Sequence, residues 1–520
     1  MKKSLADAAA QTVSLSLVSH TNVGKTTLAR TLLSRDIGEV RDEAHVTESA
    51  EAQLWIESPA GDRLLLWDTP GFGDSLRLAK RLSQAGNLLG WFMTEVWDRW
   101  RDRPFWATQR ALRHVMDESD VVLYLVNAGE APEDAGYLDA ELQVLGLIGK
   151  PVVALLNQLG PLGTLPDAGA AVTPAGADAS LEQRWQQRLQ TSPTVHAVLP
   201  LDAFSRCWVQ EGVLWRTLVE ATPAGKREAL LRLQAAWQAR QLGIWRSAVT
   251  EIARRLARAA SDMQPIDGKG GALQRIGQGL GRTLGLRSEA ATSARERAMA
   301  ALADRLDSDF RASMSRLIAL HGLDGRAGGE VLAKLARHYA EREPLDEGRA
   351  ALWGGAVSGA LVGLKADLAS GGLTLGGGLL AGGVIGALAA AGAARGVNQV
   401  RGLEQPQLAW DARVLDALLA SALLGYLAIA HHGRGRGEWV DEAPPGLWTA
   451  AVGEAMATRR QEIDALWAQR AGGVAVGNAL PAGASAGSAA LQARLERLLA
   501  DSTADLLVRL YPQSGIDMRF

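Results

Sequence analysis

The chain has 520 residues, of which 47% are apolar, with 55 basic against 57 acidic side chains and a formal net charge of −2. That length exceeds what one hydrophobic core covers, so two or more domains are expected. A near-neutral balance excludes bulk attraction to nucleic acid or anionic lipid, and the single cysteine, Cys207, excludes an internal disulfide and suits a reducing compartment.

Met1-Lys2-Lys3-Ser4 is basic but runs into Leu5-Ala6-Asp7-Ala8 instead of a long apolar core, so no secretory signal is expected and the chain reads as cytoplasmic. Short apolar runs at Val13–Val18, Ala52–Glu57, Arg63–Asp68, Asp120–Val126, Pro151–Leu156 and Val195–Pro200 predict strands. Helical patterns lie between them, at Lys25–Ser34, Thr108–Glu118 and Leu138–Ile148. This alternation predicts an α/β domain over residues 1–222, a mainly parallel sheet with helices on both faces. From Pro223 onward long Ala/Leu/Arg-rich patterns predict a mostly α-helical domain over 223–520, with helices at Lys226–Ala260, Ser288–His321, Glu330–Glu343, Leu408–Ala430, Trp448–Arg470 and Ala489–Tyr511. Asp267–Leu284 reads as a Gly-rich loop, and Gly472–Gly487 as a small-residue linker.

The first strand runs into Ser19-His20-Thr21-Asn22-Val23-Gly24-Lys25-Thr26-Thr27, and a helix follows. Gly24, Lys25 and Thr26 match the second half of the Walker A form G-x-x-x-x-G-K-[ST], with Ser19 where the first glycine is usual. The backbone N–H groups of such a loop wrap a phosphate, Lys25 supplies a cation for the β- and γ-phosphates, and the Thr26 hydroxyl suits Mg²⁺. Trp67-Asp68-Thr69-Pro70-Gly71 follows at the end of the third strand. There Asp68 suits the magnesium shell, and the Gly71 N–H a γ-phosphate.

Together N-V-G-K-T and D-T-P-G resemble the Era/TrmE-type GTPases over Thr12–Phe204. The resemblance implies GTP/GDP and Mg²⁺ as ligands. It also implies a Thr in the mobile loop after the first helix that closes on Mg²⁺ and the γ-phosphate, for which Thr47 is the candidate. In that group an Asn at the Asn22 position helps bind K⁺, which supplies positive charge in the transition state; a residue that stabilises the loop turn is the equal alternative at Asn22. Lys25, Asn22 and Thr47 are thus the candidate catalytic residues.

Three departures matter. Where the guanine-reading motif N-K-x-D is usual, the chain has Asn157-Gln158-Leu159-Gly160, so the carboxylate that distinguishes guanine is missing and ATP stays open beside GTP. The S-A motif is reduced to Asp202-Ala203, where Asp202 is the candidate substitute carboxylate. Phe72 stands where a glutamine orients the attacking water, so hydrolysis is expected to be slow, stimulated by potassium or by nucleotide-dependent homodimerisation.

Residues 73–106 read as an insertion carrying Trp91, Trp97, Trp100 and Trp106, a core stripe or a partner face beside the γ-phosphate sensor. Residues 351–396 form a Gly/Ala/Leu segment with Gly355, Gly359 and Gly363, then Gly378, Gly382 and Gly386, at four-residue spacing. Glycine costs about 1 kcal/mol per position inside a helix in water. Two environments satisfy the pattern: close helix–helix approach in a membrane, or a tightly packed soluble hairpin. The uncharged run Leu368–Ala394 exceeds the roughly 20 residues that span a bilayer. His431 and His432 are adjacent and do not share a helix face, which argues against a metal site.

Trp353-Gly354-Gly355, the run Leu373-Thr374-Leu375-Gly376-Gly377-Gly378 and His432-Gly433-Arg434-Gly435-Arg436-Gly437-Glu438-Trp439 resemble a bacterial family that joins such a G domain to a C-terminal domain of unknown function 3482. The sequence thus predicts a GTP switch. Its nucleotide state passes through the Trp-rich insertion to a helical half that engages the inner membrane or a membrane protein. No nucleic-acid partner is expected, and a nucleotide-gated scaffold and a dynamin-like membrane-remodelling protein are the alternatives.

Overall fold

A computed structural model describes residues 9–35, 51–72, 75, 77, 79–80, 103–158, 181–203, 207–265, 289–323, 397–400, 407–432, 446–470, 482–512 and 515–518. Thr47, Gly160, the Gly-rich segment 351–396 and most of the insertion 73–106, including Trp91, Trp97 and Trp100, lie outside these residues. So do the loop expected at Asp267–Leu284 and the helix expected at Glu330–Glu343.

The N-terminal part alternates β1 (Thr12–Ser19), α1 (Lys25–Leu33), β2 (Glu51–Glu57), β3 (Arg63–Asp68), α2 (Arg103–Glu118), β4 (Val121–Asn127), α3 (Leu138–Ile148), β5 (Val152–Asn157), α4 (Leu181–Gln190), β6 (Val195–Pro200) and α5 (Trp208–Ala221). The sheet order is β2-β3-β1-β4-β5-β6, with β2 antiparallel to β3 and every other pair parallel. β4 and β5 are near-continuous apolar runs because both faces of the sheet are covered. On one face Leu15 and Leu17 join Leu28, Leu64, Leu66, Trp215 and Trp237 in one core; on the other Val18 joins Phe72, Tyr124, Leu142 and Leu145.

Among the described residues, further helices after α5 are α6 (Ala224–Ser261), α7 (Glu289–Leu320), α8 (Ala412–Ala430), α9 (Gly446–Thr458), α10 (Arg460–Arg470) and α11 (Ala482–Leu510). Between them lie three short strands, β7 (Met263–Pro265), β8 (Val397–Val400) and β9 (Gln407–Trp410), paired antiparallel in the order β7-β9-β8. Three expectations are corrected. The helix expected from Leu408 begins at Ala412, because 407–410 pairs as β9. Trp448–Arg470 is two helices, and the linker expected over Gly472–Gly487 is helical from Ala482.

The chain divides into two compact units: Met1–Gly243 with Ala430–Pro444 and Leu510–Asp517, and Ile244–Ile429 with Pro445–Arg509 and Met518–Phe520. The first holds the six-stranded sheet and the part of α6 up to Gly243. In the second, Trp245 Nε1 donates to Thr503 Oγ1 at 3.0 Å, and Arg460 bridges Asp416 to Asp464 while Trp467 Nε1 donates to Asp416 Oδ1 at 2.8 Å.

Candidate functional site

The residues between β1 and α1 form a loop that turns at two left-handed positions, Asn22 (φ 63°) and Gly24 (φ 94°). Asn tolerates that conformation better than most non-glycine residues. At Gly24 a Cβ would also lie 2.9 Å from Asn157 Nδ2, so only glycine fits there. Gly24 caps α1 without a side-chain hydrogen bond, which leaves the first N–H groups of the helix available to an anion.

Lys25 is buried, and its ammonium donates to Ser19 Oγ at 2.9 Å. Burial pulls the Lys25 pKa below its ordinary value, while the carboxylates of Asp68 and Glu141 oppose that. The Ser19 hydroxyl therefore does what a glycine at this place could not, accepting from the lysine while donating to the His20 carbonyl at 2.5 Å. Thr26 Oγ1 donates to Asp68 Oδ2 at 2.5 Å. A hydroxyl and a carboxylate at that separation are hard oxygen donors of the kind Mg²⁺ prefers, so the residues present fit that ion.

The turn after β3 lies against the loop. Thr69 Oγ1 donates to the Leu17 carbonyl at 2.5 Å, Phe72 N donates to the Ser19 carbonyl at 2.9 Å, and Thr21 Oγ1 donates to the Phe72 carbonyl at 3.2 Å. A Cβ on Gly71 would lie 3.0 Å from Lys25 Nζ and 3.1 Å from Thr21 Cα, so the close approach requires glycine. The Phe72 side chain points into the core at 1% exposure, with no polar atom to offer a water.

Asn157 ends β5 fully buried. Its Nδ2 donates to the Val23 carbonyl at 2.7 Å, and its Oδ1 accepts from Ala203 N at 2.8 Å. The Ala203 carbonyl in turn accepts from Thr31 Oγ1 at 2.9 Å. Asp202 is buried next to this junction, and Gln158 takes a left-handed φ of 59°.

The structure thus brings together Ser19, His20, Thr21, Asn22, Val23, Gly24, Lys25, Thr26, Thr27, Asp68, Gly71, Asn157, Asp202 and Ala203. Sequence reasoning missed the group behind His20. His20 Nδ1 lies 2.8 Å from Oε1 of Glu141 on α3, and Tyr124 of β4 donates to Glu141 Oε2 at 2.7 Å. The His20 ring stacks on Tyr137 with centroids 4.2 Å apart, and the Tyr137 hydroxyl donates to Glu130 Oε1 at 2.6 Å. Burial pushes the Glu141 carboxyl up, with the bonds from His20 and Tyr124 working against the shift. The sequence held one signal: Glu141 falls three after Leu138 and four before Leu145, a carboxylate on an apolar helical stripe.

A sheet of this order, with the phosphate loop at the β1–α1 turn and the Thr26–Asp68 pair beside it, defines a P-loop GTPase domain. Residues 14–158 match the family described as 50S ribosome-binding GTPase. Residues 188–470, more than half of the chain, match the domain of unknown function DUF3482, and the chain belongs to the family that carries that domain behind a P-loop GTPase domain. No curated protein matches the chain. Among solved structures, a variant of Aquifex aeolicus Era bound to GDP and aluminium fluoride is 18% identical, with 45% of this chain and 67% of that one covered and a TM-score of 0.27. Era in complex with MgGDPNP and a segment of 16S ribosomal RNA is 19% identical, over 42% of this chain and 58% of that one, with a TM-score of 0.26. A bacterial selenocysteine-specific elongation factor is 15% identical, over 36% of this chain and 25% of that one, with a TM-score of 0.22.

Proposed function

We propose that the protein is a slow, Mg²⁺-dependent GTP switch whose nucleotide state is passed to its helical C-terminal part. The observation that carries this reading is the convergence of Lys25, Gly71 and the Thr26–Asp68 pair at one end of the sheet. Thr26 and Asp68 would hold Mg²⁺, which would offset phosphate charge, and Thr47 would complete that shell from the loop before β2. The α1 N-terminus and the loop N–H groups cradle the phosphates. Asn157 holds the loop to the base-binding side, where Asp202 is the candidate carboxylate for guanine. Asn22, exposed at the loop tip, would bind K⁺.

Fluorescent GDP and GTP analogues titrated onto the full chain test the reading, with Lys25→Ala as the control and ATP as competitor. Tight binding by the wild type, a loss of about 100-fold in Lys25→Ala, and displacement by GTP but not ATP are expected. Equal binding by Lys25→Ala would refute the phosphate site, and equal displacement by ATP would refute the base assignment.

The buried Phe72 favours a second reading, a nucleotide-gated scaffold that binds GTP and barely hydrolyses it. Turnover measured in KCl and in NaCl separates the two, since a K⁺-stimulated rate supports the switch and a negligible rate in both salts supports the scaffold. In either reading the protein is cytoplasmic, with residues 351–396 as the segment that meets the inner membrane or a membrane protein.

A further inference from the structure

The phosphate loop is held from behind at two places. At its α1 end, Asn157 grips the Val23 carbonyl and Gly24 starts the helix whose N–H groups would meet the inner phosphates. At its β1 end the hold comes from a different layer: His20 reaches α3, where Glu141 is fully buried and is itself fixed by the Tyr124 hydroxyl. A carboxylate in that place faces His20 from the loop, Tyr124 from β4 and the charge of Lys25 from α1. His20 Nδ1 and Glu141 Oε1 share a hydrogen bond at 2.8 Å, and the stack on Tyr137 sets the ring plane.

The His20 backbone has a second engagement. It pairs with Phe72 as an isolated parallel bridge, one residue beyond Gly71. Its carbonyl also accepts from Lys25 Nζ at 3.5 Å and from Ser19 Oγ at 2.5 Å. His20 therefore sets the spacing between the loop and the Gly71 turn, and it touches the lysine that serves the outer phosphates. The α1 end of the loop, which serves the inner phosphates, has its own anchor in Asn157.

We propose that Glu141 is a positioning residue that, acting through His20, sets the preference of this site for a nucleoside triphosphate over the diphosphate. The proposal rests on the reading of the loop as a phosphate site and adds to it the residue that aligns the loop with the turn reading the third phosphate. Losing the carboxylate removes the tie from His20 to α3, so the loop residue that pairs with Phe72 is held less firmly and the spacing between Gly71 and the loop loosens, while the diphosphate end keeps its own support.

The test is the ratio of dissociation constants for GDP and a non-hydrolysable GTP analogue, measured on the full chain with Mg²⁺ for the wild type, Glu141→Met and Glu141→Gln. Methionine keeps the volume and removes both acceptors, and should lower the triphosphate preference about tenfold while GDP affinity changes by less than about threefold. Glutamine keeps an oxygen that accepts from His20 and should restore the preference to within about threefold of the wild type. A ratio in Glu141→Met within about twofold of the wild type overturns the proposal, as does an equal loss of both nucleotides, which is the signature of a merely structural role. A wild type that binds neither nucleotide overturns the underlying site instead, so the two failures are distinguishable. Should Glu141→Met not fold, Tyr124→Phe, which removes the hydroxyl holding Oε2, decides the matter: the preference must fall about threefold, and an unchanged ratio sinks the proposal.

Discussion

Asn157 is the residue on which three separated segments depend. Its amide donates to Val23 in the phosphate loop and accepts from Ala203 after β6, in a place with no access to solvent. Truncation to alanine leaves a buried carbonyl and a buried N–H without their partner, at a cost of about 1–3 kcal/mol each. Asn157→Ala is therefore expected to lower stability by about 2–6 kcal/mol and to weaken GDP binding about 100-fold, read by thermal melting and nucleotide titration. Asn157→Asp has the same shape but sets a carboxylate oxygen against the Val23 carbonyl, so it should bind no better than Asn157→Ala; near-wild-type binding by the aspartate variant would contradict the assigned geometry. Gly24, Lys25, Thr26, Asp68 and Asn157 were legible in the sequence because each sits at a strand end or loop position where spacing along the chain fixes spacing in space. Glu141 was not, because its meeting with His20 across 121 residues depends on how α3 packs, and no local pattern encodes that.

At the scale of elements, a buried carboxylate joins the β2–β3 hairpin to α6. Asp62, fully buried at the hairpin turn, accepts from Arg232 Nε at 2.7 Å and Nη2 at 2.8 Å, from Ser58 Oγ at 2.8 Å and from Gln11 N at 3.1 Å. The Arg232 guanidinium leads in holding the Asp62 carboxyl down at about 2, with Ser58 and Gln11 adding and burial opposing. Beside this pair Trp55 of β2, Trp215 of α5 and Trp237 of α6 follow one another at centroid distances of 5.2 and 5.5 Å. Because the folded value is depressed, the contribution of Asp62 is fully present above about pH 4 and is lost as pH falls through about 2. Arg232→Ala should lower the denaturant midpoint at neutral pH, and the gap to the wild type should narrow between about pH 4 and about pH 2. A constant gap across that window would mean that the carboxylate is not what the arginine stabilises. The strands of this domain could be read from their apolar runs to within one or two residues, and burial on both faces makes the runs of β1, β4 and β5 the most conspicuous. β7, β8 and β9 have three or four residues each, too few for a period to register, and β9 runs into the apolar helix α8, whose pattern masked it.

At the scale of the molecule, α6 is one continuous helix whose residues up to Gly243 group with the sheet and whose residues from Ile244 group with the second unit. Among the described residues, α8 is the one helix long and apolar enough to cross a membrane, and 72% of its apolar window is buried within the protein. That burial is what a core helix shows, so the proposal of membrane contact rests instead on residues 351–396. Their glycines at four-residue spacing cost helix stability in water unless something packs closely against them. Liposomes of bacterial lipid composition discriminate the two environments. If the segment meets lipid, the full chain loaded with a non-hydrolysable GTP analogue should float with the vesicles, and deletion of 351–396 should abolish flotation while leaving GDP affinity within about twofold, because the nucleotide site lies wholly in the first unit. Loss of GDP binding on deletion, with or without flotation of the intact chain, would instead mark the segment as a packed part of the fold. Flotation that persists after deletion would move the membrane contact elsewhere. A dependence of flotation on GTP over GDP would tie the membrane step to the third phosphate, the same group that the alignment of His20 with Gly71 is proposed to read.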